Sequence, residues 1–171
     1  MFLSISEMQL GRVRFSETFA PGAIDFFDPQ LRQTAPIVTG GAAQLTEATM
    51  EIVVSGQFST TMEVACDRCL EPAAFPVDAS FTLSYRPSAS APSAGESAIH
   101  GPELEVGFYE GDGIELSDVV REEILLLMPM QRVCREDCKG ICPVCGQNRN
   151  LVECHCRTKA EDDRWAGLRN L

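Results

Sequence analysis

Across residues 50–66 the even positions Met50, Ile52, Val54, Phe58, Met62 and Val64 are apolar, while Glu51, Ser55, Gln57, Ser59, Thr61 and Glu63 between them are polar. A strand turns successive side chains to opposite faces, so this alternation predicts a long, half-buried strand. At about 3.3 Å per residue the run is too long for a small domain unless it bends. Gly56 is the expected bend or bulge, because a glycine inside a strand often marks one. Beyond Cys69 the alternation resumes at Phe75, Val77, Ala79, Phe81, Leu83 and Tyr85. Two such runs joined by Asp67-Arg68-Cys69-Leu70-Glu71-Pro72 predict an antiparallel hairpin with cysteines at its tip. Shorter strands are expected at 13–19, 37–45 and 103–109.

One helix is signalled near 117–128. Ser117 is its expected N-cap, and Asp118, Glu122 and Glu123 sit early, where the helix dipole favours acids. Val120, Ile124, Leu127 and Met128 should line its apolar face, and Pro129 stops it. Residues 87–102 are rich in Ser, Ala, Gly and Pro without an apolar period, which predicts a mobile loop. A weaker helix is expected at 161–171, where Trp165, Leu168 and Leu171 recur at a spacing of three. The fold class expected is α+β, mainly antiparallel β, as a small sandwich or open barrel. An acidic, β-rich body at 1–129 would precede a cysteine-rich, zinc-binding tail at 130–171 that ends in the short helix.

Composition adds that a chain of 171 residues with 44% hydrophobic residues can bury a real core. The net charge of −11 is unevenly spread. From Met130 onward eight basic residues face six acidic ones, leaving +2; residues 1–129 hold six against nineteen, or −13, and no lysine. A body this acidic repels phosphate backbones, so any RNA contact should be local and come from the tail. The longest apolar run, 124–130, contains Pro129 and is far short of the roughly 20 residues that span a bilayer. No basic residue precedes the short apolar stretch at the N-terminus, so no secretory leader is expected and the expected location is cytoplasmic.

The eight cysteines fall into four close pairs: Cys66/Cys69, Cys134/Cys138, Cys142/Cys145 and Cys154/Cys156. In a cytosolic chain such pairing reads as metal binding rather than a disulfide framework. The run Cys142-Pro143-Val144-Cys145-Gly146 resembles the knuckle of zinc ribbons, and zinc takes four ligands in a tetrahedron. Two structural zinc sites are expected, a single site being the smaller alternative, and iron–sulfur is the competing metal chemistry. The favoured partition is Cys66/Cys69 with Cys134/Cys138, and Cys142/Cys145 with Cys154/Cys156; swapped pairings fit the spacing nearly as well. His155 lies between two of these cysteines and could stand in for one. The neighbouring cations Arg68, Arg135, Lys139 and Arg149 either balance thiolate charge or touch RNA or a partner.

The order of these features resembles one family. A strand runs into Cys66-Asp67-Arg68-Cys69-Leu70, and an acidic helix ends Leu125-Leu126-Leu127-Met128-Pro129. Cys134-Arg135-Glu136-Asp137-Cys138-Lys139-Gly140-Ile141-Cys142-Pro143-Val144-Cys145-Gly146 and the ending Asp163-Arg164-Trp165-Ala166-Gly167-Leu168 follow. The whole is similar to the YceD family, bacterial and chloroplast proteins associated with accumulation of large-subunit ribosomal RNA. The resemblance implies a role in 23S RNA processing or stability during 50S assembly, with no established catalytic activity. Large-subunit components, a basic ribosomal protein or a 23S precursor, would then be the partners, with no small-molecule substrate and no membrane.

The chain holds only two histidines, no phosphate-cradling glycine loop and no Ser/His/acid set, so a non-enzymatic factor is expected. Two other readings compete. One is a redox-switched zinc holdase, whose tail unfolds when oxidation ejects metal. The other is a thiol oxidoreductase using Cys66/Cys69, which would require a reactive, low-pKa thiolate.

Overall fold

The computed structural model describes residues 1–90 and 106–156. Its elements begin β1 (Phe2–Ser4), α1 (Ile5–Gln9), β2 (Val13–Phe19), β3 (Arg32–Gln33) and β4 (Ile37–Thr46). They continue β5 (Glu51–Ala65), β6 (Pro72–Pro87), a turn of 3₁₀ helix at Ser88–Ser90, β7 (Val106–Tyr109), β8 (Gly113–Glu115) and α2 (Leu116–Leu127). The expected loop beyond residue 90, the start of the strand expected at 103–109, and the helix expected at 161–171 lie outside the described residues. The fold is mostly antiparallel sheet with one main helix. Among the described residues no helix is long and apolar enough to cross a membrane.

The chain divides into two compact units, one of residues 1–64 and 74–130, the other of 65–73 and 131 onward. In the first, the strands run β2-β4-β5-β6-β7 across one sheet, β3 pairs beside β5, and β1 pairs with β8 as a separate ribbon. Six residues join β5 to β6, too few for a parallel crossover, so these neighbours form the antiparallel hairpin the alternation predicts. One pair departs from that pattern: β7 runs parallel to β6, with Ser84 opposite Val106 and Pro87 opposite Tyr109. A strand of four residues carries too little alternation to declare its direction.

Gly56 makes no bulge. The β4–β5 register runs unbroken from Val38↔Ser59 to Thr46↔Glu51 and pairs Gly56 with Gly41. The glycines are there for closeness: a Cβ on Gly41 would stand 2.6 Å from the Gly56 Cα and 2.7 Å from the Phe15 ring. A Cβ on Gly56 would meet the Phe81 ring at 3.0 Å and the Phe15 ring at 3.2 Å. Two aromatic rings thus close over a bare stretch of backbone, which fills the gap a side chain would otherwise occupy.

The alternating positions become the core. Ile52, Val54, Phe58, Met62 and Val64 of β5 pack with Leu3, Ile37, Leu116, Val120 and Ile124 in one hydrophobic cluster. Each such side chain, fully buried, contributes about 1.5–3 kcal/mol before conformational entropy is subtracted. Helix α2 presents Leu116, Val119, Val120 and Ile124 to this core, and Met128 just beyond it is buried too. Leu127, expected on that face, is 47% exposed.

Ser117 is not the cap of α2. The N-cap position belongs to Glu115, extended at φ −84° and ψ 125°, with no side-chain cap bond. The reason lies in the ribbon: β8 runs straight into the helix, and the Leu116 amide donates to the Met1 carbonyl at 3.0 Å. Backbone just ahead of β1 therefore satisfies a donor that a capping side chain would otherwise serve.

Candidate metal centres

The second unit is built from turns around the cysteines. Cys66-Asp67-Arg68-Cys69-Leu70 folds back so that the Leu70 amide donates to the Cys66 carbonyl at 2.8 Å. In Cys142-Pro143-Val144-Cys145-Gly146 the Gly146 amide donates to the Cys142 carbonyl, also at 2.8 Å. Both fifth residues are left-handed, Leu70 at φ 64° and Gly146 at φ 72°. The two segments are the same knuckle, written once with leucine and once with the glycine that suits it.

Strand ends and turns bring the eight thiols into two groups of four. Cys66, Cys69, Cys134 and Cys138 form one, Cys142, Cys145, Cys154 and Cys156 the other, and within each group the sulfurs lie within 4.8 Å of one another. In the first group Cys66 Sγ and Cys138 Sγ are 3.9 Å apart, and Cys69 Sγ and Cys134 Sγ 3.8 Å. Four thiolates about 2.3 Å from one tetrahedral ion stand about 3.8 Å from each other, so the spacing fits a single ion. Each group could hold a metal ion. His155 belongs to neither group.

The sulfurs are held by polar donors. The Cys134 amide donates to Cys66 Sγ at 3.3 Å, Asn150 Nδ2 to Cys138 Sγ at 3.3 Å, and the Val144 amide to Cys142 Sγ at 3.5 Å. Burial pushes the Cys66 thiol up, but donors from Cys134, Cys69 and Arg68 outweigh it and bring it to about 6. Amides of Cys145 and Val144 bring Cys142 to about 6 as well. The opposite happens to Cys134, where burial and then the neighbouring sulfurs raise the thiol to about 12. Cys156 rises to about 12, chiefly through its contact with Cys145. Within each group some thiols are thus pulled down and others pushed up, and a central cation would let all four be thiolates.

The cations near these groups divide. Arg68 Nη1 donates to the carbonyls of Glu136 at 3.1 Å and Cys138 at 3.3 Å, stitching one knuckle to the loop between Cys134 and Cys138. Arg135 donates to Asn150 Oδ1 at 2.9 Å and pairs with Asp137 at 3.2 Å. Lys139 and Arg149 are exposed, and neither side chain has an ionic partner among the described residues. Asn150 was not legible in advance: its Oδ1 also accepts from the Lys139 amide at 2.9 Å, and its Nδ2 reaches Asn148 Oδ1 at 2.9 Å. The signal is the Asn148-Arg149-Asn150 sequence, since asparagine readily bonds backbone two residues on; here the Asn150 amide donates to Asn148 Oδ1 at 2.9 Å.

With this geometry in view, residues 54–171 match the family described as Large ribosomal RNA subunit accumulation protein YceD. The chain belongs to the YceD family. The YceD match takes in all eight cysteines, β6 and α2. An uncharacterized protein of Mycobacterium tuberculosis (strain H37Rv) is 31% identical over 119 residues, covering 68% of this chain and 54% of that protein. The chain therefore spans about half the length of the mycobacterial relatives it matches. The uncharacterized protein YlbN of Bacillus subtilis is 26% identical over 175 residues, covering 98% of this chain and 92% of YlbN. A chloroplastic protein of Arabidopsis thaliana, named Large ribosomal RNA subunit accumulation protein YCED homolog 1, is 33% identical over 58 residues, covering 34% of this chain and 18% of its own. No solved structure matches. What describes YceD is accumulation of a ribosomal RNA, not a reaction.

Proposed function

We propose that this protein is a non-enzymatic, cytoplasmic factor for accumulation and processing of 23S ribosomal RNA during 50S assembly, scaffolded by two structural zinc ions. The YceD membership carries the ribosomal part of this reading. The two groups of four sulfurs support the zinc: four thiolates around one ion leave no position for water, and such closed sites are structural. Cys66, Cys69, Cys134 and Cys138 would hold one ion, and Cys142, Cys145, Cys154 and Cys156 the other. A thiol oxidoreductase fits less well, because Cys66 and Cys69 are 0% and 4% exposed and share their cluster with two further thiols.

Charge distribution supports a division of labour. A basic ribosomal protein would meet the acidic body, while Lys139 and Arg149, free of ionic partners among the described residues, are the cations best placed to touch RNA. Arg68 and Arg135 are occupied with the cysteine loops. Affinity capture of the tagged full-length chain from lysate, with and without RNase, tests the reading. Large-subunit proteins should be enriched and should persist after RNase. Capture of no large-subunit component under either condition would contradict it.

A further inference from the structure

In the first unit, α2 and the β6–β7 edge border an open groove of about 630 Å³. Its apolar lining includes Leu83, Tyr85, Val106 and Leu126, and Leu126 is 79% exposed. Tyr85 lies flat on bare backbone there, since a Cβ on Gly107 would stand 2.6 Å from its ring. Glu122 and Glu123 line the same groove, and neither carboxylate has an ionic partner among the described residues. Burial and the charge of Glu122 hold Glu123 above the ordinary carboxyl value, so the pair lacks a cation that would relieve it.

We propose that this groove receives a short lysine- and leucine-containing segment of a basic protein. That the protein is a component of the large ribosomal subunit rests on the reading above; the chemistry of the segment does not. Apolar side chains would cover Leu126, Leu83 and Tyr85, and cations would pair with Glu122 and Glu123. Polar and charged groups across an interface favour partners of opposite potential. RNA or an anionic membrane would set phosphate against these carboxylates, within a body of −13 charge. A second copy meeting this face about a two-fold axis would set the same carboxylates against each other.

The test uses the purified full-length chain and three fluorescent probes: a short Lys/Leu peptide, the same peptide with Glu for Lys, and oligouridylate. Anisotropy should show binding of the basic peptide alone. Glu122→Gln combined with Glu123→Gln should weaken it about tenfold, and Leu126→Ser about fivefold. NMR of labelled tyrosine supplies an independent readout in the unmodified protein. The chain has two tyrosines, and the groove's Tyr85 should shift on titration while the buried Tyr109 should not. Unchanged affinity in the variants, or an unmoved Tyr85 signal, would overturn the proposal. So would oligouridylate binding that the variants abolish, or a dimer that Leu126→Ser dissolves in place of peptide binding. Peptide binding seen only after 91–105 is exchanged for a Gly/Ser linker would assign the groove to the chain's own segment and overturn it as well. Peptide binding is read on purified protein and the ribosomal role in cells, so either can fail without the other.

Discussion

Leu70 holds a backbone conformation that glycine adopts freely and leucine does not. At φ 64° it occupies the place in its knuckle that Gly146 fills in the other, and its side chain is 63% exposed. The left-handed region costs an L-residue roughly 1–2 kcal/mol, partly offset by the extra freedom glycine would have in the unfolded chain. Leu70→Gly is therefore expected to stabilise the second unit by about 0.5–1 kcal/mol, read from amide exchange at the knuckle. Asn150 sits at the opposite extreme. One amide side chain serves Cys138 Sγ, the Lys139 amide and Arg135. Partners that orient metal ligands typically matter by 10- to 100-fold in affinity. Asn150→Ala should release zinc about tenfold more readily to a competing chelator while leaving the strands folded. An unchanged chelator competition would remove Asn150 from the site's support.

At the scale of elements, α2 joins buried and exposed roles. Glu123 is raised first by burial and then by Glu122, so folding disfavours its ionised form. A carboxyl raised on folding stabilises while protonated and loses that contribution as pH rises through its folded value. Glu123→Gln keeps the neutral shape at every pH. It should raise the melting temperature at pH 7 by about 1–2 °C, solvent screening keeping the effect small. The gain should vanish below about pH 4, where the wild-type carboxyl is protonated too. The elements also mark what periodicity can tell. β5 and β6 declared themselves because one face of each is buried and the other wet, so every second residue repeats the message. Gly56 misled because a glycine needed for a bulge and one needed for close ring packing look alike until Phe15 and Phe81 are in place. The cap of α2 was illegible for a related reason: its Leu116 amide bonds the Met1 carbonyl, more than a hundred residues away in the chain, and a local motif cannot report that. The cysteine groups were readable because close pairs are a local signal. Asn150 was not, because its importance comes from what surrounds it.

For the whole molecule, the hydrophobic cluster contains no residue beyond Met128, so the described part of the second unit lacks an apolar core of its own. A metal ion held by each cysteine group would then supply much of its folding energy, as metal does in small zinc domains. Removing zinc with a strong chelator should strip protection from amides such as Gly146 and Arg149, while the β4–β5 ladder keeps its own. Cys142→Ser should lose one of two zinc equivalents by elemental analysis; alkylation of Cys66 and Cys69 in the native protein, with a single zinc per chain, would contradict the two-site arrangement. The central claim, a role in accumulating the large ribosomal RNA, is tested most directly by sucrose-gradient sedimentation of ribosomes from cells depleted of this protein. Depletion should lower the ratio of 50S to 30S subunits and leave less mature 23S RNA, both restored by the wild-type chain. An unchanged ratio with normal 23S RNA, in the cold as at ordinary growth temperature, would contradict it.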